Sequence, residues 1–151
     1  ANQPLWRVMP EFVAAYPNYE RVGLRDLCSQ IHEAYRSSDV ARLTTEMYVS
    51  PMEPVMRPAD AFARMAHREI DRVPIEQLNG RVTSVLLTPY PPGIPLLIPG
   101  ERVNTIIVKY LQFAQRFNAQ YPGFETDIHG LVEAPNGSKG EYFVDCVRED
   151  R

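Results

Sequence analysis

Lysine is almost missing from this 151-residue chain: Lys109 and Lys139 stand against fourteen arginines. A lysine that forms an imine needs a pocket that lowers its pKa and aims its nitrogen. Lys109 falls on the polar side of a helical pattern and Lys139 in a turn-rich stretch, so neither suits that chemistry. Cysteine is as scarce. Cys28 and Cys146 sit in apolar patterns without Cys-x-x-Cys spacing, which is how buried, reduced core thiols read rather than a disulfide frame or a zinc site. No apolar run approaches twenty residues and no leader pattern is present, which excludes a membrane-spanning helix and leads us to expect a cytoplasmic protein. The first residue is alanine rather than methionine, as expected of a processed product or a piece of something longer. Gly-x-Gly-x-x-Gly and Walker patterns are absent, so nucleotide phosphates have no evident cradle. Ser29, Ser37, Ser38 and Ser84 lack a Gly-x-Ser-x-Gly elbow. Basic charge is not in excess either: the formal net charge is −3, which argues against nucleic acid as a partner.

Proline, by contrast, is abundant. Thr88–Glu101 carries five prolines and two glycines among large apolar residues. Proline fixes φ and lacks an N–H, so this run is neither a helix nor a central strand along its length. Its apolar side chains still need burial, and a stiff apolar segment of this kind has to face something. The final thirty residues, from Pro122, hold seven acids against Lys139, Arg148 and Arg151, which makes this end either a solvated face or an attractor for cations.

Periodicity supplies the elements. Residues 1–22, with Trp6, Phe12, Tyr16 and Tyr19 among Pro4, Pro10 and Pro17, read as an irregular arm entering from a preceding domain. Leu24, Leu27, Cys28, Ile31 and Tyr35 repeat at helical spacing between Gly23 and Ser37-Ser38. Asp39 is placed to cap a second helix that turns Val40, Leu43 and Met47 inward. An extended piece, 53–57, precedes Pro58 at a helix start, with Phe62, Met65, Ala66 and Ile70 as the expected buried stripe. His32 and His67 fall in helices and face solvent. Asn79-Gly80 marks a turn, and 82–88 reads as a buried strand. Val103, Ile106, Ile107, Tyr110, Ala114, Phe117 and Tyr121 predict a long helix, capped by Asn104 or Thr105 and stopped by Pro122-Gly123. The segments 127–133 and 141–147 flank a Gly/Asn-rich loop and predict a closing β-hairpin. The fold class is therefore α+β: a single domain of amphipathic helices packed on small mixed or antiparallel sheets.

Glu125, Asp127 and His129 alternate. In an extended strand they share one face at about 6.6 Å intervals. That spacing is too wide for one ion to be held by all three from a flat strand, so a small metalloenzyme ranks last among the readings. Strand-end hydrogen bonding and an acidic, partner-facing rim both fit better.

Three segments carry a family likeness: the run 89–101, Tyr121-Pro122-Gly123-Phe124-Glu125-Thr126-Asp127-Ile128-His129-Gly130, and the helical stretch 24–32. In spacing and order they resemble the C-terminal domain of bacterial ornithine/lysine/arginine decarboxylases, over about residues 5–147. The resemblance implies a parent enzyme that uses pyridoxal phosphate to remove the α-carboxylate of a basic amino acid. In that family a receiver-like wing and a large cofactor domain precede this domain, active sites form between two subunits, and many members assemble five dimers into a decamer. The parent is therefore expected to be a dimer or a decamer. Residues 23–151 would be the domain itself. The cofactor lysine would lie in the missing domain, which leaves no catalytic, cofactor-binding or metal residue in this chain. The expected partners are that missing domain, further copies of the parent and the basic substrate. Pro91, Pro92, Gly93, Ile94, Pro95 and Leu96 are the candidate domain interface. Tyr90, Glu101, Glu125, Asp127 and His129 are candidates for the substrate entrance. The competing reading is an independent interaction or oligomerisation module without a catalytic role. A domain separated from its partner should carry an exposed apolar patch around Leu96, Leu97 and Ile98.

Overall fold

In a computed structural model, residues 2–134 and 140–149 are described. The turn expected over 135–140, Lys139 included, lies outside them except for Gly140. The N-terminal arm is less irregular than its prolines suggest. It folds into α1 (Leu5–Val8), α2 (Pro10–Ala15) and a 3-10 turn at Pro17–Tyr19. Pro10 and Pro17 each start an element rather than break one, because a first-turn residue needs no N–H.

The helix predicted from Leu24 is α3 (Leu24–Ser37). Leu27 is its buried residue, with Ile31 and Ala34 half-buried beside it. Cys28 falls next to this stripe and is exposed, which corrects the expectation of a buried thiol. Asp39 does not cap α4 (Val40–Val49): its φ is 51° and its carboxylate accepts from Arg42 Nε at 2.6 Å. After β1 (Glu53–Pro54), α5 (Pro58–Ala66) begins at proline as expected. Its buried residue is Ala61, while Phe62 is 59 % exposed, so the predicted stripe was set one residue too far along. The helix ends before Ile70 because Arg68 turns into the left-handed region at φ 60°. Ile70 then opens β2 (Ile70–Pro74), and a 3-10 turn follows at Ile75–Gln77.

Residues 82–88 do not form one strand. They make isolated bridges to three different places: Val82 to Arg102, Thr83 to Cys146 and Leu87 to Leu97. Two of the buried hydroxyls in this crossing segment are satisfied by backbone carbonyls. Thr83 Oγ1 donates to the Val85 carbonyl at 2.8 Å and Ser84 Oγ to the Asp145 carbonyl at 2.7 Å. Then come β3 (Thr88–Tyr90), β4 (Glu101–Arg102), α6 (Thr105–Gln120), β5 (Asp127–His129), β6 (Leu131–Glu133) and β7 (Tyr142–Val147).

All strand pairs are antiparallel: β1 with β4, β3 with β5, and a three-stranded sheet in the order β2-β7-β6. The closing hairpin is β6–β7, as predicted. Its first arm is shorter than the predicted 127–133 because Gly130, at φ 95°, breaks the strand. A Cβ there would sit 2.2 Å from the Leu86 carbonyl oxygen. Only glycine fits, and β5 is thereby turned away from the hairpin to pair with β3 instead.

Helix α6 holds the domain together. Asn104 caps it, its side chain accepting from the N–H groups of Ile106 and Ile107 at 3.1 and 3.0 Å. Ile107, Val108, Tyr110, Leu111 and Ala114 enter the main aliphatic core with Leu87, Leu97 and Val144. Phe113, Phe117 and Tyr121 enter a second, aromatic cluster with Leu5, Tyr19 and Leu27. The arm is thus bound to the rest of the fold through the last turns of α6.

Candidate functional site

The short β3–β5 pair brings the run and the acidic segment together. Tyr90 lies opposite Asp127 and Thr88 opposite His129. Alternation places Pro89 and Ile128 inward, where both are buried. The Tyr90 and His129 rings are 4.6 Å apart at 38°, and His129 Nε2 lies 3.0 Å from Asp127 Oδ2. Beneath Tyr90 sits Gly93 at φ 82°, where a Cβ would come within 2.9 Å of the tyrosine ring. Tyrosine, histidine and aspartate therefore form one exposed surface group. The hydroxyl of Thr88 is buried beside it with no hydrogen-bond partner among the described residues.

Glu125 stands just before β5 and lines a shallow cavity of about 210 Å³ that it shares with Asp127 and Glu133. No basic side chain among the described residues lines it. Glu133 was not singled out by the sequence reading, and only the β6–β7 register brings it here. The other residue missed is Asn118, on α6. Its Nδ2 donates to the Thr126 carbonyl at 3.0 Å and to the Tyr142 hydroxyl at 3.1 Å, and its Oδ1 accepts from Thr126 N–H at 2.9 Å. One amide thereby pairs with the backbone like a neighbouring strand and fixes the segment that bears Glu125 and Asp127. An asparagine directly after Phe117, in a largely apolar helix, was the available signal.

Glu101 is not part of the β3–β5 pair. It sits on β4, and its Oε2 accepts from the Ile98 N–H at 2.9 Å, closing the turn that ends the run. Leu96 and Leu97 are 2 % and 1 % exposed, so Leu96, expected at a domain interface, packs in this chain's own core. The reason is a pair of backbone hydrogen bonds that fold the run back on Leu87: Leu96 N–H to Leu87 O at 2.7 Å and Leu87 N–H to Leu97 O at 3.0 Å. What remains outward is Leu86, Tyr90, Ile94 and Ile98, each 40–53 % exposed. Pro91, Pro92 and Pro95 are exposed with them.

Among the described residues no three His, Cys, Asp or Glu side chains gather as a metal would require. Nothing among the described residues fits pyridoxal phosphate either. Lys109 is exposed on α6, in an open polar cavity beside Arg42 and Arg116, without the enclosure that positions an imine-forming lysine. Cys146 is also unsuited to covalent chemistry, since burial pushes its thiol up to about 12.

A family model described as "Orn/Lys/Arg decarboxylase, C-terminal domain" matches residues 41–148. Lysine decarboxylase LdcA of Pseudomonas aeruginosa is 42 % identical over 99 % of this chain, and constitutive lysine decarboxylase of Escherichia coli 34 % identical over 90 %. The solved structure of lysine decarboxylase A from Pseudomonas aeruginosa superposes with a TM-score of 0.89 at 41 % identity, covering 97 % of this chain. The chain spans about 20 % of the length of these relatives.

Proposed function

The chain belongs to the family of Orn/Lys/Arg decarboxylase C-terminal domains, and from that premise we propose that it docks on a preceding cofactor domain and helps wall its substrate entrance. The parent would be a cytoplasmic, oligomeric decarboxylase of a basic amino acid that uses pyridoxal phosphate, with the cofactor and its lysine outside this chain. Residues 1–22 would be the segment entering from that domain. The observation that carries the reading is the outward face of the run. Leu86, Tyr90, Ile94 and Ile98 stay 40–53 % exposed next to the acidic group, in a chain that covers one fifth of its relatives (20 %).

The residues of this chain would act on the substrate before chemistry begins. Glu125, Asp127 and Glu133 surround a cavity that no basic side chain among the described residues lines. Their summed potential favours approach of a side chain that carries an extra positive charge. Such an effect raises the rate of encounter and fades as salt shortens the Debye length to about 10 Å at 0.1 M. Asn118 would hold the segment in place, and Tyr90 with His129 would cover the edge where apolar face meets acidic rim.

The test is Glu125→Gln with Asp127→Asn in the full-length polypeptide, measuring kcat/KM against ionic strength. A fall of roughly two- to tenfold at low salt, with a flatter salt dependence, is the expected outcome. Unchanged kcat/KM and an unchanged salt slope would remove these residues from any role at the entrance.

A further inference from the structure

The N-terminal arm carries a second set of exposed apolar side chains. In α1, a helix of four residues, Leu5 is the buried one. Trp6, Val8 and the following Met9 turn outward, 54 %, 41 % and 38 % exposed, and Trp6 is the only tryptophan in the chain. So short a helix does not stand by itself in water. Ordering it to bury a single leucine returns little against the backbone entropy that is lost. The outward side of α1 therefore has its use outside this chain's own core.

What holds α1 in place is the way the chain enters. Pro4 bridges Gly23, the Leu24 N–H donates to the Gln3 carbonyl at 2.8 Å, and the Leu5 N–H donates to the Val22 carbonyl at 2.9 Å. Gly23, which precedes α3, has no side chain to cap that helix. Asn2 caps it instead: its Oδ1 accepts from the Arg25 N–H at 3.1 Å and its Nδ2 donates to Asp26 Oδ2 at 2.6 Å. The φ of residue 23 is −77°, a value open to any residue, but a Cβ there would collide with the Asn2 amide. The glycine makes room for the cap, and the cap fixes the point of entry just ahead of Trp6.

That point of entry says what covers the outward side. The chain spans about 20 % of the length of its relatives and matches a model described as a C-terminal domain, so the remainder of such a polypeptide arrives at Asn2. We propose that Trp6, with Val8 and Met9, is a second docking surface for the domain that precedes this chain, held in orientation by the Asn2 cap. Tryptophan is the residue type most often found to dominate such contacts, because one rigid ring system covers a large area. Phe62 is as exposed, at 59 %, but it stands on α5, outside the arm. The proposal shares with the entrance role the premise that a cofactor domain precedes this chain, and it uses none of Glu125, Asp127, Ile94 or Ile98.

The experiment is limited proteolysis of the full-length polypeptide, read as the rate at which the domain is released. Trp6→Ser should be released roughly fivefold or more faster than wild type. Trp6→Phe keeps an aromatic ring and should recover most of the wild-type rate, and Phe62→Ser should match wild type. Equal acceleration by Trp6→Ser and Phe62→Ser would mean that any exposed apolar residue does the same, and would overturn the proposal. So would a urea midpoint of the separate chain that falls with Trp6→Ser as far as with Leu97→Ala, since Trp6 would then serve this chain's own fold. Association of the separate chain that Trp6→Ser abolishes would give the surface to a second copy instead. Ile94→Ser with Ile98→Ser separates the two premises. If that pair speeds release and Trp6→Ser does not, docking through the proline-rich face stands and the second surface falls; if neither does, both fall together.

Discussion

Leu97 and Ile98 are neighbours in sequence, but one is 1 % exposed and the other 40 %. The same contrast runs along the whole proline-rich segment. Leu87, Leu96 and Leu97 belong to the main core with Ile107 and Leu111, whereas Leu86, Tyr90, Ile94 and Ile98 point outward. Both sets are large and apolar, so hydropathy alone does not separate them. What separates them is the backbone: the hydrogen bonds between Leu87 and Leu96-Leu97 turn one side in, and the other side is left over. The inner face is structural. The outer face contributes little to the fold of this chain and is free to meet a partner.

The largest expected effect breaks the inner face. Leu97→Ala removes a side chain that is fully buried among Leu87, Val103 and Ile107. A loss of about 2–5 kcal/mol in urea unfolding is expected, the range for leucine truncations in close-packed cores. A change below about 1 kcal/mol would mean that the run is not part of the core.

A smaller effect of opposite sign lies at the boundary between the faces. Thr88 is 4 % exposed and its hydroxyl has no partner among the described residues. Replacing a hydroxyl by a methyl normally costs stability in a core because a hydrogen bond goes with it. Here there is none to lose. Thr88→Val is therefore expected to stabilise the chain by about 1 kcal/mol, read as an upward shift in the urea midpoint at constant slope.

How much of this was legible in the sequence depended on what sort of signal each part leaves. Helices α3 and α6 span 14 and 16 residues, long enough for periodicity to declare both ends. The strands are two to six residues long, too short for alternation to fix them, and residues 82–88 bridge three elements in turn. Gly130 was visible as a glycine, but its role depends on the Leu86 carbonyl forty-four positions away in the chain. For the site, alternation did place Asp127 and His129 on one face. It did not foresee that Tyr90 would lie opposite Asp127, or that Glu133 would join from the next strand. The family likeness rested on the proline run and on 121–130, and those two segments pair as β3 and β5. Leu96 and Glu101 are residues whose surroundings are set by local backbone hydrogen bonds rather than by residue type.

The smallest effect on this chain is the sharpest test of the comparison. Ile94→Ser with Ile98→Ser changes two side chains that are 53 % and 40 % exposed and leaves every buried contact of Leu96 and Leu97 in place. Surface substitutions of this kind stay within about 0.5 kcal/mol, so urea unfolding of the chain should be nearly unaltered. In the full-length polypeptide the same pair should behave differently. Apolar groups covered at an interface contribute about 25 cal/mol per Å² of buried area, and serine at both positions forfeits most of that contribution. Limited proteolysis should then release the domain faster from the double variant than from the wild-type polypeptide. If release is unchanged, the outer face meets solvent and not a neighbouring domain. If the chain itself loses as much stability as with Leu97→Ala, the two faces do the same work and their difference in exposure has no energetic meaning.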